Sequence, residues 1–217
     1  MTAQPLAILT DFDGTISDFD VSDFIYQNFA AVGMFYAEQW SKGLISTREE
    51  VLQTYATVTA SQDEIAAALA TVPIDPTFHE LVELARRRGL ELVIVSDGMD
   101  WVIETVLGAH GVRGLPLYAN RLVFEDGKPK ISFPWWHQQC PMDGVCKPQV
   151  LRRFIDAGKR IVYIGDGRSD RLAAEHADVV FAKNDLVDIC HAQNIAAHEF
   201  THFREICAWL ENYLEAR

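Results

Sequence analysis

The sequence predicts an α/β protein, a parallel sheet covered by helices on both faces, with an all-helical unit inserted after the first strand. Three observations support this. The runs LAILTDFDGT, ELVIVSDG (91–98), RIVYIGDG (160–167) and DVVFAKND (178–185) are almost continuously apolar and end in polar or Gly-containing turns, as strands buried on both faces do. Helical patterns fill the intervals between them. The interval from residue 16 to 74 is far longer than a single crossover requires.

In chain order, Leu6 to Leu9 give the first strand. A helix is expected near Asp20, where Asp18, Asp20 and Asp23 read as a helix N-terminus favouring negative charge rather than as substrate contacts. Three S/T-x-x-E pairs, Thr47 with Glu50, Ser61 with Glu64 and Thr77 with Glu80, mark further helix starts. The helix of 77–88 returns the chain to the sheet. A smaller excursion spans 115–147, where YANRLVFEDGKPKISF reads as a β-hairpin turning at Asp126 and Gly127. PQVLRRFIDAG has apolar residues at Val150, Leu151, Phe154 and Ile155, with Pro148 at its start and Gly158 at its end. The last segment repeats apolar positions at Phe203, Ile206, Cys207, Leu210 and Leu214, an amphipathic helix packing on the sheet. The expected organisation is a core of 1–15 and 75–217, a helical insertion of 16–74, and the 115–147 excursion of the core.

The chain of 217 residues carries 31 acidic and 19 basic residues, a formal net charge of −12. That balance argues against nucleic-acid binding and against an anionic membrane surface, both of which are met by Lys and Arg. An anionic small substrate stays open, because a local cluster or a metal ion can override the overall field. MTAQPLAILT has neither a basic n-region nor a long apolar core, and no run approaches a membrane span. The expected location is the cytoplasm. Cys140, Cys146, Cys190 and Cys207 do not suggest a disulfide framework. Cys190 and Cys207 read as small apolar helix residues. Cys140 and Cys146 read as a structural pair, with zinc binding alongside His137 as the alternative.

In open parallel sheets ligands bind at the carboxyl ends of the strands. Three polar turns should meet there: Asp11-Phe12-Asp13-Gly14-Thr15, Ser96-Asp97-Gly98, and Gly165-Asp166-Gly167 with Asp170 beyond. So many carboxylates would repel one another unless a hard cation neutralised them, and Mg²⁺ takes oxygen ligands while keeping room for a phosphate. The two-residue spacing puts Asp11 and Asp13 on the same side of an extended segment. Taken singly, an Asp-Gly pair is only a turn former, and Lys147 only a lysine starting a helix. It is the joint pattern that points to chemistry.

DFDGT, a serine after a later strand, Lys147 in CKPQV, and GDGRSD resemble the four motifs of the haloacid dehalogenase superfamily phosphatases, in order and spacing, over essentially the whole chain. The resemblance implies a Rossmann-like core with a helical cap of the C1 type. It implies Asp11 as nucleophile, forming an aspartyl phosphate, and Asp13 as general acid and base. Ser96, Thr15, Gly98 and Lys147 would hold the phosphoryl group, and Asp11, the Asp13 main-chain carbonyl, Asp166 and Asp170 would hold Mg²⁺. The substrate would be a small phosphorylated metabolite. A non-catalytic phosphate-binding module would lack one of the two leading aspartates, and both are present. ISFPWWHQQCPMDGVCKPQV and VSDGMDWVI resemble the branch that holds the methionine-salvage, phosphoserine and phosphoethanolamine/phosphocholine phosphatases. Salvage-type relatives carry Gly-Gly after the serine; here Asp97 stands first, a carboxylate that would suit an ammonium-bearing substrate. Trp135, Trp136 and His137 wall the pocket or pack the loop; Arg168 and Arg171 read as solvated arginines opening a helix, with contact to phosphate or to the cap as the alternative.

Overall fold

The computed structural model describes residues 4–216. Strand β1 (Leu6–Thr10) is followed by four helices, α1 (Val21–Phe29), α2 (Gly33–Ser41), α3 (Thr47–Tyr55) and α4 (Gln62–Leu69). Helix α5 (Phe78–Arg88), β2 (Glu91–Met99), α6 (Asp100–Ala109) and the strands β3 (Leu117–Glu125) and β4 (Lys128–Ser132) come next. The chain ends with α7 (Lys147–Asp156), β5 (Arg160–Gly165), α8 (Arg171–Ala174), β6 (Val179–Ala182), α9 (Asp185–Gln193), β7 (Ala197–Glu199) and α10 (Phe203–Glu215). Among the described residues the strands form one sheet of order β4-β3-β2-β1-β5-β6-β7, parallel except for the β3–β4 pair.

The alternation of side chains along β1 shows why its run had to be apolar throughout. Leu6 and Ile8 join the core formed with Phe78, Leu81, Phe203 and Ile206 of α5 and α10. Ala7 and Leu9 face the other way, into the core shared with Val150, Leu151 and Phe154 of α7. Both faces are buried, so a polar residue on either would lose its water without gaining a partner. β2 and β5 flank β1, and the chain leaves to opposite sides of it. The crevice at the carboxyl end of β1 is therefore the switch point of the sheet.

Several local expectations need correction. The cap of α3 is Ser46, not Thr47: its side chain accepts from the Glu49 amide while the Glu49 carboxylate takes the Ser46 N–H. That frees Thr47 for another use. The start of α5 has no capping box at Thr77, because Thr77 gives its N–H and hydroxyl to Asp75 while Glu80 pairs with Arg204. The Ser61–Glu64 box and the Asp20 cap of α1 are present as expected. Asp126 and Gly127 turn the β3–β4 hairpin with positive φ of 50° and 73°, and β3 extends the main sheet by pairing in parallel with β2. Cys140 and Cys146 are bonded to each other, which excludes zinc at their sulfurs, since both are consumed by the bond. Cys190 and Cys207 are buried, in α9 and α10. Among the described residues no helix is long and apolar enough to cross a membrane.

Phe203 and Phe78, both fully buried, meet edge to face at 5.0 Å and clamp α10 to α5. Phe203→Ala should lower the unfolding free energy by about 3–5 kcal/mol, the usual loss for a buried phenylalanine, read as a fall in the urea midpoint at unchanged slope.

Candidate active site

The turn after β1 is built so that both of its carboxylates point the same way. Ile16 and Ser17 return their N–H groups to the Phe12 carbonyl, and the Asp13 carboxylate accepts from the Val21 N–H at 2.9 Å, at the first turn of α1. Gly14 has φ +66°, and a Cβ there would lie 2.3 Å from Asp166 Oδ2. Only glycine lets the first turn approach the third so closely. Thr15 is buried, with its hydroxyl donating to Asp166 Oδ1 at 3.3 Å.

Lys147 opens α7 with 1% of its side chain exposed. Its Nζ lies 3.0 Å from Asp11 Oδ2 and 2.6 Å from Asp170 Oδ1, and donates to Ser169 Oγ at 3.1 Å. Burial alone would lower the lysine's pKa; the Asp11 and Asp170 charges overcome it and hold the ammonium well above its ordinary range. The two carboxylates differ. Asp170 Oδ1 also accepts from the Tyr163 hydroxyl at 2.5 Å, and Oδ2 takes the Asp166 and Gly167 N–H groups at 3.0 and 3.1 Å. Against its burial, the Lys147 charge and these hydrogen bonds keep Asp170 below the usual carboxylate range. Asp11 accepts from the Phe12 N–H at 2.7 Å. Burial, then the negative charge of Asp170, pushes Asp11 well upward despite Lys147.

Asp13 is raised as well, by burial first and then by Asp20. Asp166 is pushed up to about 6, mainly by burial and Asp170. One carboxylate oxygen from each of Asp11, Asp166 and Asp170 lies within 4.8 Å of the others, a donor set of hard oxygens. The Asp13 side chain lies outside that trio. Ser96 is buried; its hydroxyl accepts the Gly98 N–H at 2.9 Å and faces Asp13 Oδ2 at 3.5 Å. Asp97 Oδ1 accepts from the Val145 N–H at 2.6 Å, and Oδ2 from Gly144 N–H and the Thr47 hydroxyl, both at 3.4 Å.

These groups border a cavity of about 510 Å³ between the ends of β1, β2 and β5 and the helices α1 to α3. The expected residues Asp11, Asp13, Ser96, Asp97, Gly98 and Asp166 line it, whereas Lys147, Thr15 and Asp170 stand behind them. Trp135 packs on Tyr118 and Trp136 lies under Arg48 at 4.2 Å, so both serve packing. Arg168 donates to the Ser41 carbonyl across the cavity, and Arg171 faces Asp143 at 3.9 Å.

Sequence reasoning missed four further participants. Tyr163 holds Asp170. Asn184 donates to Asp166 Oδ2 at 3.3 Å from a backbone with φ +49°, a conformation that side-chain-bearing residues rarely adopt. The signal for it was an Asn directly after a strand-end lysine. Thr47 reaches Asp97, and Glu50 lines the cavity from α3, its carboxyl pushed up to about 8 by burial and the acids Asp20, Asp23 and Asp97.

The profile of haloacid dehalogenase-like hydrolases matches residues 8–175. Among curated relatives, a 2-hydroxy-3-keto-5-methylthiopentenyl-1-phosphate phosphatase of Brevibacillus brevis is 29% identical, covering 96% of each chain. One of the same description from an Exiguobacterium species is 27% identical over 94% of this chain and 96% of its own. Among solved structures, a substrate-bound phosphoserine phosphatase complex superimposes with a TM-score of 0.73 at 18% identity, covering 95% of this chain and 99% of the other. A phospho-aspartyl intermediate analogue of phosphoserine phosphatase gives 0.72 at 19% identity with the same coverage. These likenesses share the α/β fold described above, and the profile match over most of the chain places the protein in the haloacid dehalogenase-like hydrolase family.

Proposed function

We propose that the chain is a phosphomonoester hydrolase working through an aspartyl phosphate on Asp11, with 2-hydroxy-3-keto-5-methylthiopentenyl-1-phosphate as its substrate. The observation that carries the chemistry is Asp11 Oδ2 held 3.0 Å from a buried lysine at the wall of a cavity that Asp13 and Asp166 also line. The relatives of that description match nearly end to end, which supports the substrate.

Asp11 attacks phosphorus. As a carboxylate it needs no activating base once its charge is compensated, and Lys147 supplies part of that compensation. Asp13, facing the same cavity, gives a proton to the leaving oxygen and afterwards takes one from the water that cleaves the acyl phosphate. Its bond from the Val21 N–H fixes the carboxylate's orientation. Ser96 and the glycine-bearing turns offer donors to the phosphoryl oxygens. Asp170, its oxygens taken up by hydrogen bonds, holds Lys147 in place.

The carboxylates suit Mg²⁺, which Asp11, Asp166 and the Asp13 main-chain carbonyl would hold, with Asp170, its oxygens already engaged, beside that shell. When bound, the ion neutralises phosphate and carboxylate charge. Residues 16–74 act in this reading as a cap, joined to the core by two segments that cross at Ser17 and Ile74; with the cap closed, bulk water is kept from the acyl phosphate. The cytoplasm is the compartment this metabolic role implies.

An amine-bearing phosphomonoester, such as phosphoethanolamine or phosphocholine, is the second reading. Asp20, Asp23 and Glu50 on the cap side of the cavity favour it, and phosphoserine, with its own carboxylate, fits them less well.

Asp11→Asn should lower kcat by more than about a thousandfold with the circular dichroism spectrum unchanged; wild-type turnover in that variant refutes the nucleophile. Chelation should bring hydrolysis to background and added Mg²⁺ should restore it. Mg²⁺ should also raise the unfolding free energy by about 2.7 kcal/mol at a hundred times its Kd, seen as a higher Tm. In a panel of phosphate esters, the methylthio enol phosphate should give the highest kcat/KM; a higher value for phosphoethanolamine selects the second reading.

A further inference from the structure

The residue that follows the phosphate-turn serine does not face the cavity as a free carboxylate. Asp97 Oδ1 accepts the Val145 N–H at 2.6 Å, and Oδ2 accepts the Gly144 N–H and the Thr47 hydroxyl. Its own carbonyl takes the Asn120 side-chain amide at 2.6 Å. Gly144 is pressed against that amide, since a Cβ there would stand 2.5 Å from Asn120 Nδ2. The end of β2 and the middle of β3 are thus interlocked with the short segment 144–145.

That segment leads straight into the lysine. Val145 and Cys146 are fully buried, Cys146 is the N-cap of α7, and Lys147 is its first residue. The Cys146 N–H returns to the Trp135 carbonyl at 2.9 Å, and the Cys140–Cys146 bond closes the loop on itself. The Gly144 and Val145 amides thus lie three and two residues before Lys147, in the segment that feeds the first turn of α7.

We propose that Asp97 is a positioning residue: its carboxylate pins the Gly144–Val145 amides so that Lys147 Nζ stays between Asp11 and Asp170. This rests on the phosphatase reading above and assigns Asp97 a role independent of any substrate amine. The Thr47 hydroxyl, which also accepts from Trp40 Nε1 at 3.0 Å, adds an arm from the helical insertion to the same carboxylate. Displacing a reacting group by about 1 Å is worth about a hundredfold in rate, so a loosened lysine loop should be visible in kcat.

The test measures wild type, Asp97→Ala and Asp97→Asn in Mg²⁺ with the Cys140–Cys146 bond intact. Steady-state kinetics use p-nitrophenyl phosphate, which has no amine, and phosphoethanolamine; orthophosphate affinity is read by calorimetry. Asp97→Ala should lower kcat about 10- to 100-fold on both esters alike and weaken orthophosphate binding. Asp97→Asn, whose amide oxygen still accepts from Val145, should recover most of both. Asp97→Ala with p-nitrophenyl phosphate turnover and orthophosphate affinity at wild-type values overturns the proposal, as does a rise in KM confined to phosphoethanolamine in both variants. Should Asp97→Ala not fold, Asp97→Ser, too short to reach both amides, takes its place. If wild type hydrolyses neither ester nor the methylthio enol phosphate, that counts against the phosphatase reading, while orthophosphate affinity still decides the role of Asp97.

Discussion

The buried Lys147 ammonium is the interaction on which the site depends. Asp11 and Asp170 are both nearly free of solvent, and their oxygens approach closely enough to repel strongly at low dielectric. One cation between them makes that placement tolerable. Removing a partner from such a cluster leaves an uncompensated buried charge, which is far more damaging than the net value of the pair suggests. The cluster is also asymmetric. Asp170 is saturated by Lys147, Tyr163 and two backbone amides, and so keeps its charge cheaply. Asp11 has fewer donors, and its charge is left wanting compensation. The same lysine therefore completes the shell of one carboxylate and only part of that of the other.

The sheet delivers these groups because of where β1 sits. As the strand from which the chain departs in both directions, it has β2 on one side and β5 on the other. The turns following all three strands must then gather within a few ångströms. Asp11 comes from the first, Ser96 and Asp97 from the second, Asp166 and Asp170 from the third, and α7 brings Lys147 in behind them. Gly14 and Asn184 show how tightly the turns close. The first needs the absence of a side chain beside Asp166, and the second holds that same carboxylate from a strained backbone.

Much of this was legible along the chain, because the groups that meet are marked locally. Asp11, Asp13, Ser96 and Asp166 each sit where an apolar strand run breaks into a turn, so strand ends and polar residues coincide. Lys147 stands beside a proline that announces a helix start. The missed residues lack such marks. Tyr163 lies inside an apolar run, and only the pleat decides whether its hydroxyl meets a leucine or a carboxylate. Thr47 has the spacing of a capping residue, but Ser46 takes that place, and the one-residue shift leaves Thr47 to make a tertiary contact. The Cys140–Cys146 bond was not foreseen because spacing alone does not tell a bonded pair from two thiols packed side by side.

The insertion and the lysine loop are joined more closely than their separation in sequence implies. Thr47 gives its N–H to the Met142 carbonyl and its hydroxyl to Asp97, Arg48 covers Trp136, and Arg168 reaches the Ser41 carbonyl. Three of these four contacts end on residues 97 and 136–142, which lie against or within the loop that leads to Lys147. Moving α3 away from the core would break the Thr47 contacts with Met142 and with Asp97 at the end of β2 and would uncover Trp136. Contacts from the helices over the cavity therefore meet, in one loop, the segment that leads to the buried Lys147 ammonium. Displacing those helices would disturb the same loop whose Gly144 and Val145 amides precede Lys147.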